Sequence, residues 1–557
     1  MADNNTQANI LALGDDIHHI IATELLETTP SSLLSLAQVS RPLGALATPY
    51  IYRELVLSGN SEANNLLINR LRSDGGDVAR HVRHLAIEEM LSPKALEEVL
   101  DKTVNLRTLS WDTATKMPES ILQKLQNTWP DLKISVCNHK RAHSESIERD
   151  MDEPLLTSPQ LESLDYSIYI KGYNYSYMPQ QPMPSEWRQF SRIIQSSKNL
   201  KRLRIELQPS RVYEYGKGSW DIRTFSDNDV SMPQFVIDSK TSFPPLEELT
   251  ISNRSFCANY EFDAEHCKSL RTCIDWSKMR KLDVGSSYPV HLFRELIGLT
   301  PNLTSLRFGF TFGELDDWAA VKFIQSLNRL ETLDIANVQE HADGIWPAIV
   351  THRNTLKILV IRPTVSRHCY PIYPDISLLR GIIEDCPNLE NFGYDVPFEQ
   401  VPFDPAEDGD MKGREPVAIE TTTTFRHPKL LNNRPSEEHI TLLSELGLDT
   451  LELFLHIPGG ASSFCDAYIP DAMGTKPITP LKIETSKKTA IEIAQRLSKK
   501  KLLKELRIWI SRTGYEDRAQ SYLVHANMKL TRKEIGGEGE DAWDISGDYS
   551  WKGEAGW

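Results

Sequence analysis

Residues 301–336 read PNLTSLRFGFTFGELDDWAAVKFIQSLNRLETLDIA. One phrase occurs in this stretch twice, as Leu303-x-x-Leu306-x-Phe308 and as Leu330-x-x-Leu333-x-Ile335. That spacing lets a bend and a short strand bring all three apolar side chains onto one inside line. Between the two copies, residues 319–327 are apolar at helical spacing. The flanking copies are Met279/Leu282/Val284 and Leu356/Leu359/Ile361. Toward the C-terminus follow Leu389/Phe392/Tyr394, Leu448/Leu451/Leu453 and Leu503/Leu506/Ile508. Toward the N-terminus lie Leu246/Leu249/Ile251, Leu200/Leu203/Ile205, Leu161/Leu164/Tyr166, Leu106/Leu109/Trp111 and Val82/Leu85/Ile87. Many copies are introduced by Asn-Leu or Pro-x-Leu, as in Pro301-Asn302-Leu303 and Pro387-Asn388-Leu389.

The central positions Leu282, Leu306, Leu333 and Leu359 step by 24, 27 and 26 residues, which is the leucine-rich-repeat period. A buried leucine is worth roughly 1.5–3 kcal/mol, so one copy cannot hold itself together but a stacked array can. The expected fold class is α/β: an irregular leucine-rich-repeat solenoid over residues 53–515, with parallel strands on the concave face and helices outside. Helices are expected at 319–327 and 485–497. The asparagine that regular repeats carry at the ninth position is absent, since Val338 stands there after Leu330 and Arg254 after Leu246. Insertions are expected near 140–160, 171–190, 208–244 and 397–437, where the period lapses and Tyr, Pro, Gly or Thr accumulate. Residues 516–557 read as a β-like cap on the last repeat or as an acidic, Trp-containing tail.

In each strand the residue after the central leucine faces the concave side. In the middle repeats these are Asp283, Arg307 and Asp334, and the next concave positions are Ser252, Gly285, Gly309 and Ala336. Small residues in a row leave a shallow trough beside the charges. Asp283, Gly285, Arg307, Gly309, Asp334 and Ala336 are therefore candidates for holding part of a target. The alternative is that the small residues only make room for an inserted loop over the same surface.

Ahead of the repeats, a polar stretch over 1–10 is expected to be disordered, and 11–52 reads as a helical module. Leu13, Ile17, Ile20, Ile21 and Leu25 recur at three- and four-residue steps and form one stripe on a first helix. Thr29-Pro30 reads as an N-cap followed by proline at the first helical position. Leu33, Leu34 and Ala37 are expected on one face of the second helix, with Leu36 and Val39 off it. Ser40 is the expected cap of a third helix carrying Leu43, Leu46 and Ala47, which Pro49 should end. So small a unit buries little of its own surface. Two apolar faces on one short helix imply a core on one side and a partner on the other. Arg53 to Ser58 then alternates as a first strand, and Leu66, Leu67, Arg70 and Leu71 mark a helix ending near Gly75-Gly76.

This module resembles the F-box, the adaptor-binding unit of SCF-type ubiquitin ligases, in particular that of fungal leucine-rich-repeat proteins. The matching residues are Leu13 with Asp15-Asp16-Ile17, the run Leu33-Leu34-Ser35-Leu36-Ala37, Val39-Ser40-Arg41, and Ala47-Thr48-Pro49 leading into Tyr52-Arg53-Glu54-Leu55. The family opens with Leu-Pro, and here Gly14 stands in place of the proline. The resemblance implies docking to a Skp-type adaptor and, through it, to a cullin. By carry-over, Leu13, Ile17, Ile20, Ile21, Leu33, Leu34, Leu36 and Val39 would form the adaptor-binding set, some of them being the module's own core. It also implies a substrate-recognition subunit of a ubiquitin ligase, with the repeats holding an unknown target protein. The alternative is a leucine-rich-repeat scaffold that does not direct ubiquitination.

Bulk properties fit an interaction protein. The formal net charge is -15, so neither a nucleic-acid backbone nor an anionic membrane is the natural partner. Seven cysteines without regular spacing make no disulfide framework. The first residues lack the basic start and apolar core of a signal peptide, and no apolar run reaches the roughly 18 residues of a membrane span. A cytoplasmic or nuclear protein is expected. No Gly-rich phosphate loop, His-Glu-x-x-His or Gly-x-Ser-x-Gly is present. His18 and His19 diverge by about 100° on a helix and are expected at the docking face or in solvent. Cys257, His266, Cys267 and Cys273 match no common zinc spacing. No catalytic residue, metal or cofactor is expected.

Overall fold

The computed structural model describes residues 13–58, 62–72, 77–89, 91–113, 115–137, 151–170, 184–209, 234–237, 242–253, 260, 262–285, 289–310, 318–336, 342–362, 376–396, 398–399, 434–457, 490–498, 503–513, 523–532 and 543–548. The expected tail at 1–10 and most of the insertions at 208–244 and 397–437 lie outside these residues. The chain divides into two compact units: residues 1–169, 185–206 and 238–246 form the first, and residues 170–184, 207–237 and 247–557 the second.

The first unit opens with helices α1 (Asp15–Thr28), α2 (Pro30–Val39) and α3 (Arg41–Ile51). Ser40 caps α3 as expected, its hydroxyl accepting the Leu43 N–H at 3.4 Å. Thr29 precedes Pro30 at the start of α2, but its side chain makes no capping bond. Pro49 does not end α3; it lies inside the last turn, and the Tyr52 N–H still reaches the Thr48 carbonyl at 3.1 Å. Proline forfeits only its own bond to the preceding turn, which is tolerable two residues from a helix end.

The repeats of the first unit run β1 (Glu54–Leu57), α4 (Glu62–Arg72), β2 (His84–Ile87), α5 (Pro93–Lys102), β3 (Thr108–Trp111), α6 (Glu119–Thr128), β4 (Lys133–Cys137), α7 (Glu153–Leu156), β5 (Leu161–Ile170), α8 (Pro184–Ser196) and β6 (Arg202–Pro209). From β1 to β5 each strand pairs parallel with the next. The central apolar residues fall in register, Leu55 on Leu85, Leu85 on Leu109 and Leu109 on Ile134. β4 is a further repeat that the phrase misses, because Leu132 stands two rather than three residues before Ile134. The insertions expected near 140–160 and 171–190 are shorter than that reading: α7 and α8 occupy residues 153–156 and 184–196 as ordinary repeat helices.

The second unit continues with β7 (Glu248–Asn253), α9 (Ala264–Cys273), β8 (Lys281–Asp283), α10 (Val290–Leu296), β9 (Ser305–Gly309), α11 (Trp318–Gln325), β10 (Thr332–Ala336), α12 (Ala342–Val350), β11 (Ile358–Arg362), α13 (Ile376–Asp385) and β12 (Asn391–Val396). A short antiparallel pair, β13 (Phe398–Glu399) with β14 (Arg434–Pro435), follows β12. Then come α14 (Glu437–Leu443), β15 (Thr450–Ile457), a helix at 490–497 and β16 (Glu505–Thr513). Leu249, Leu282, Leu306, Leu333, Leu359, Phe392, Leu451 and Leu506 pair in sequence across β7–β12, β15 and β16. All three apolar positions are buried in every copy of the phrase. Between strand and helices, Phe293 of α10 stacks on Phe323 of α11 at 4.8 Å and meets the Phe308 ring of β9 edge-on at 5.0 Å.

At the end the hand of pairing changes. β17 (Leu523–Arg532) adds antiparallel to β16, and β18 (Trp543–Asp548) antiparallel to β17. Of the two readings open for this end, residues 523–548 therefore supply a β cap.

The missing ninth-position asparagine has a substitute. The asparagine that introduces the phrase donates its side-chain amide to a turn carbonyl one repeat earlier. Asn105 reaches Arg80 O at 2.7 Å, Asn199 Pro159 O at 2.7 Å, Asn302 Ser277 O at 2.7 Å and Asn388 Asn354 O at 3.1 Å. Asn328, two residues before Leu330, does the same to Pro301 O at 3.1 Å. These bonds satisfy turn carbonyls that have no strand partner. The chain is thus mixed α/β, three N-terminal helices followed by strand–helix repeats of the leucine-rich type. Among the described residues no helix is long and apolar enough to cross a membrane.

Candidate docking surfaces

The N-terminal helices enclose a small core of Ala22, Leu33 and Ala47, against which Leu25, Leu26, Leu36, Ala37, Tyr50 and Ile51 are partly buried. That core divides the eight expected adaptor-binding residues. Leu33 is buried, and Leu36 and Ile21 are half-buried. Leu13 is 42% exposed, Ile17 40%, Ile20 61%, Leu34 53% and Val39 71%.

Helical geometry explains the division. At about 100° per residue, Leu36 and Ala37 fall either side of Leu33, so these three face inward. Leu34 and Val39 flank that face on opposite sides. The grouping of Leu33 with Leu34, and of Leu36 off the face, is corrected accordingly. On α1 the expected single stripe is two. His18, Ala22, Leu25 and Leu26 point to the core side, while Ile17 and Ile20 share the opposite one; Leu13 lies ahead of the helix and is exposed. His18 is buried rather than at the surface. His19 is bonded to the Tyr50 hydroxyl, which ties α1 to α3.

Gly14 is the N-cap position of α1, with φ −67° and ψ 157°. A Cβ there would meet Asp16 Oδ1 at 2.6 Å, the free end of a side chain rather than backbone. Its carbonyl accepts the His18 N–H at 3.1 Å, which starts the helix.

The second candidate surface is the expected trough. Asp283, Arg307 and Asp334 stand in register on β8, β9 and β10. They are joined into a chain of alternating charge. Arg307 Nη1 lies 3.7 Å from Asp283 Oδ2, and Arg307 Nε lies 3.3 Å from Asp334 Oδ2. Arg362 of β11 then clamps Asp334, Nε donating to Oδ1 at 2.8 Å and to Oδ2 at 3.1 Å and Nη2 to Oδ2 at 3.0 Å. Its guanidinium also lies 5.4 Å over the Phe454 ring. Burial works against the Arg362 charge, but Asp334 beside it outweighs burial and raises its pKa. The strip is internally neutralised, each of these aspartates facing an arginine.

The small residues have separate reasons. Gly285 has φ +61°, and its N–H donates to Asp283 Oδ1 at 2.9 Å. That left-handed turn favours glycine whatever the space around it. Gly309 is buried, and Ala336 is half-buried and paired with it. The six candidates lie on or beside the adjacent strands β8, β9 and β10, and Asp283, Gly285, Arg307 and Asp334 carry structural duties.

The thiol–imidazole cluster of α9 is core. The Tyr260 hydroxyl lies 2.6 Å from His266 Nε2 and accepts the Phe235 N–H at 3.2 Å. Burial lowers His266 to about 4, partly opposed by Asp263, and pushes Cys267 and Cys273 up to about 12. These thiols are inert. Cys257 lies outside the described residues.

Compared with known proteins, the chain matches no family profile. No curated protein matches it either. Among solved structures it is similar to one described as the crystal structure of the Rad7 and Elc1 complex in yeast. The identity is 13%, the alignment covers 68% of this chain and 87% of that one, and the TM-score is 0.29.

Proposed function

We propose that this chain is a non-catalytic receptor subunit of a cullin–RING ubiquitin ligase, acting in the cytoplasm or nucleus. Its first three helices dock a Skp-type adaptor, and its repeats hold a target protein. The observation that carries the reading is the outward row on α1. Ile17 and Ile20, with Leu13 just ahead of the helix, remain exposed, the two isoleucines opposite a core-facing side that is already filled. A helix apolar on both sides is ordinarily covered by a second molecule. The F-box resemblance of this window names the kind of molecule. The chain then makes or breaks no covalent bond: it holds a target lysine near a charged conjugating enzyme, turning an encounter in solution into a near-intramolecular one.

The test is co-purification of the full chain with a Skp-type adaptor and a cullin. Replacing Ile17, Ile20 and Leu34 by Ala removes exposed side chains, so circular dichroism should be unchanged while adaptor and cullin are both lost. Leu33→Ala is the contrast. It empties a core position, costs about 2–5 kcal/mol and should melt the helices as well. Adaptor capture by the folded triple variant at the level of the parent would sink the proposal. Capture of the adaptor without the cullin would leave a scaffold.

A further inference from the structure

We infer that the first unit carries a docking row for a carboxylate-rich, extended peptide segment. The row is built by main-chain pairing. The Arg83 N–H donates to Arg53 O at 2.9 Å, the Arg107 N–H to Arg83 O at 2.8 Å and the Lys133 N–H to Arg107 O at 3.0 Å. Three cationic residues, Arg53, Arg83 and Arg107, are thereby set side by side just ahead of β1, β2 and β3, and Lys133 extends the row onto β4 one residue further along, opposite Thr108. Adjacent strands are ~4.8 Å apart, so the row spans roughly 14 Å. Arg83, Arg107 and Lys133 are exposed and Arg53 is half-buried. His84 and Thr108 stand beside the row, with His84 Nδ1 at 2.7 Å from the Thr108 hydroxyl.

Among the described residues, Arg83 and Arg107 have no ion-pair partner, and Arg53 Nε is buried without a hydrogen bond. The acids near the row are Glu54 on β1, Asp131 before β4, and Glu162, which lies 3.1 Å from Lys133 and 3.3 Å from Lys201. Burial would raise the Glu162 carboxyl, but Lys133 and Lys201 outweigh it and hold it below its ordinary value. Glu162 is thus fully engaged.

The same strand-start position in the second unit shows what an unspecialised row looks like. There the residues are Glu247, Arg280, Thr304, Glu331, Lys357, Glu390, Asp449 and Lys504, linked by the same main-chain bonds. Their signs are mixed, and they pair locally, Arg280 with Glu247 at 3.8 Å and Lys504 with Asp449 at 3.1 Å. A run of one sign in a chain of net charge -15 is out of keeping with that pattern. The overall negative charge repels long polyanions, which disfavours nucleic acid. The cations are strung in a line and do not converge on a point, which disfavours a single phosphate. A line of that length matches about four or five residues of extended chain bearing several carboxylates.

The experiment is fluorescence anisotropy with the purified full chain alone, so that its outcome is independent of the adaptor. The probe is a short labelled peptide of alternating Glu and Ser. Two comparison peptides carry Gln for every Glu, one unmodified and one with a single phosphoserine. The expected result is binding of the Glu peptide only, weakened by salt, and weakened roughly tenfold or more in the R83E/R107E variant. Arg280→Glu, on the mixed row, should leave the affinity unchanged. Equal binding of the Gln peptide, tighter binding of the phosphoserine peptide, or an equal loss with Arg280→Glu would each overturn the inference.

Discussion

Asp395 on β12 has its side chain wholly out of water, and among the described residues neither carboxylate oxygen has a hydrogen-bond partner. Burial alone pushes its pKa well above the ordinary carboxyl value, so the folded chain holds a proton that the unfolded chain gives up. Its stabilising protonation is fully present at pH below the unfolded-state value and is lost as pH rises toward the folded one. Asp395→Asn cannot ionise. The gap in stability between variant and parent should therefore open by about 1.4 kcal/mol per pH unit across that window. Urea midpoints over a pH series would show it, and parallel profiles would refute it. Gly14 makes a second residue-scale case. Its φ of −67° is the angle proline imposes, and its carbonyl, not its N–H, starts the helix. Gly14→Pro should raise stability by about 0.4–1 kcal/mol through the unfolded state, with Asp16 swinging aside. A lower thermal midpoint would show that Asp16 cannot give way. The identity of residue 14 was plain in the sequence. Its dihedral angles were not, and those decide whether the departure from Leu-Pro matters.

The repeat element was the most legible feature, because three apolar positions at fixed spacing report one physical requirement, a shared inside line. β4 escaped that reading since Leu132 and Ile134 satisfy the same requirement with one residue fewer. On α2, spacing alone could not say which of Leu34 and Leu36 joins Leu33, since either lies within reach of an inward face. Only the positions of α1 and α3 settle it. The trough was legible as a set of neighbours. Its neutrality was not, since Arg362 stands at the next concave position of β11, in register with Ala336, where the middle repeats carry small residues. The asparagine rungs likewise needed the fold, because their acceptors lie 25 residues away for Asn105 and Asn302 and 34 for Asn388. Each rung is an exposed neutral bond, so Asn302→Ala should cost about 0.5–1.5 kcal/mol. Asn388 is several repeats away, and the double replacement should cost the sum. A double variant no weaker than either single one, by chemical denaturation, would mean the rungs are not separate supports.

At the scale of the whole molecule, an array of parallel strands must end somewhere, and its last strand exposes a row of unpaired N–H and C=O groups. Here β16 is covered along its length by β17, from Glu505 on Thr531 to Thr513 on Leu523, and β18 covers β17 in turn. Met528 and Leu530 of β17 are buried. Lys529 lies 2.8 Å from Glu505, which also bonds Arg507, and these cations hold the Glu505 carboxyl down against the burial that would raise it. The antiparallel turn-back terminates the stacking direction, because a further parallel repeat cannot add to β18 in the register that β7–β16 use. A chain ending at Thr513 would bare an edge carrying Ile508, Trp509 and Ile510. Repeat arrays need such caps for solubility. The truncated chain should therefore associate in a concentration-dependent way, read as a rising mass in light scattering while the full chain stays at one mass. Its far-ultraviolet circular dichroism should keep the repeat signal, since each central strand retains both neighbours. If the truncated chain instead remained a folded monomer, β17 and β18 would be an ornament on β16, and the array would have to end on β16 itself.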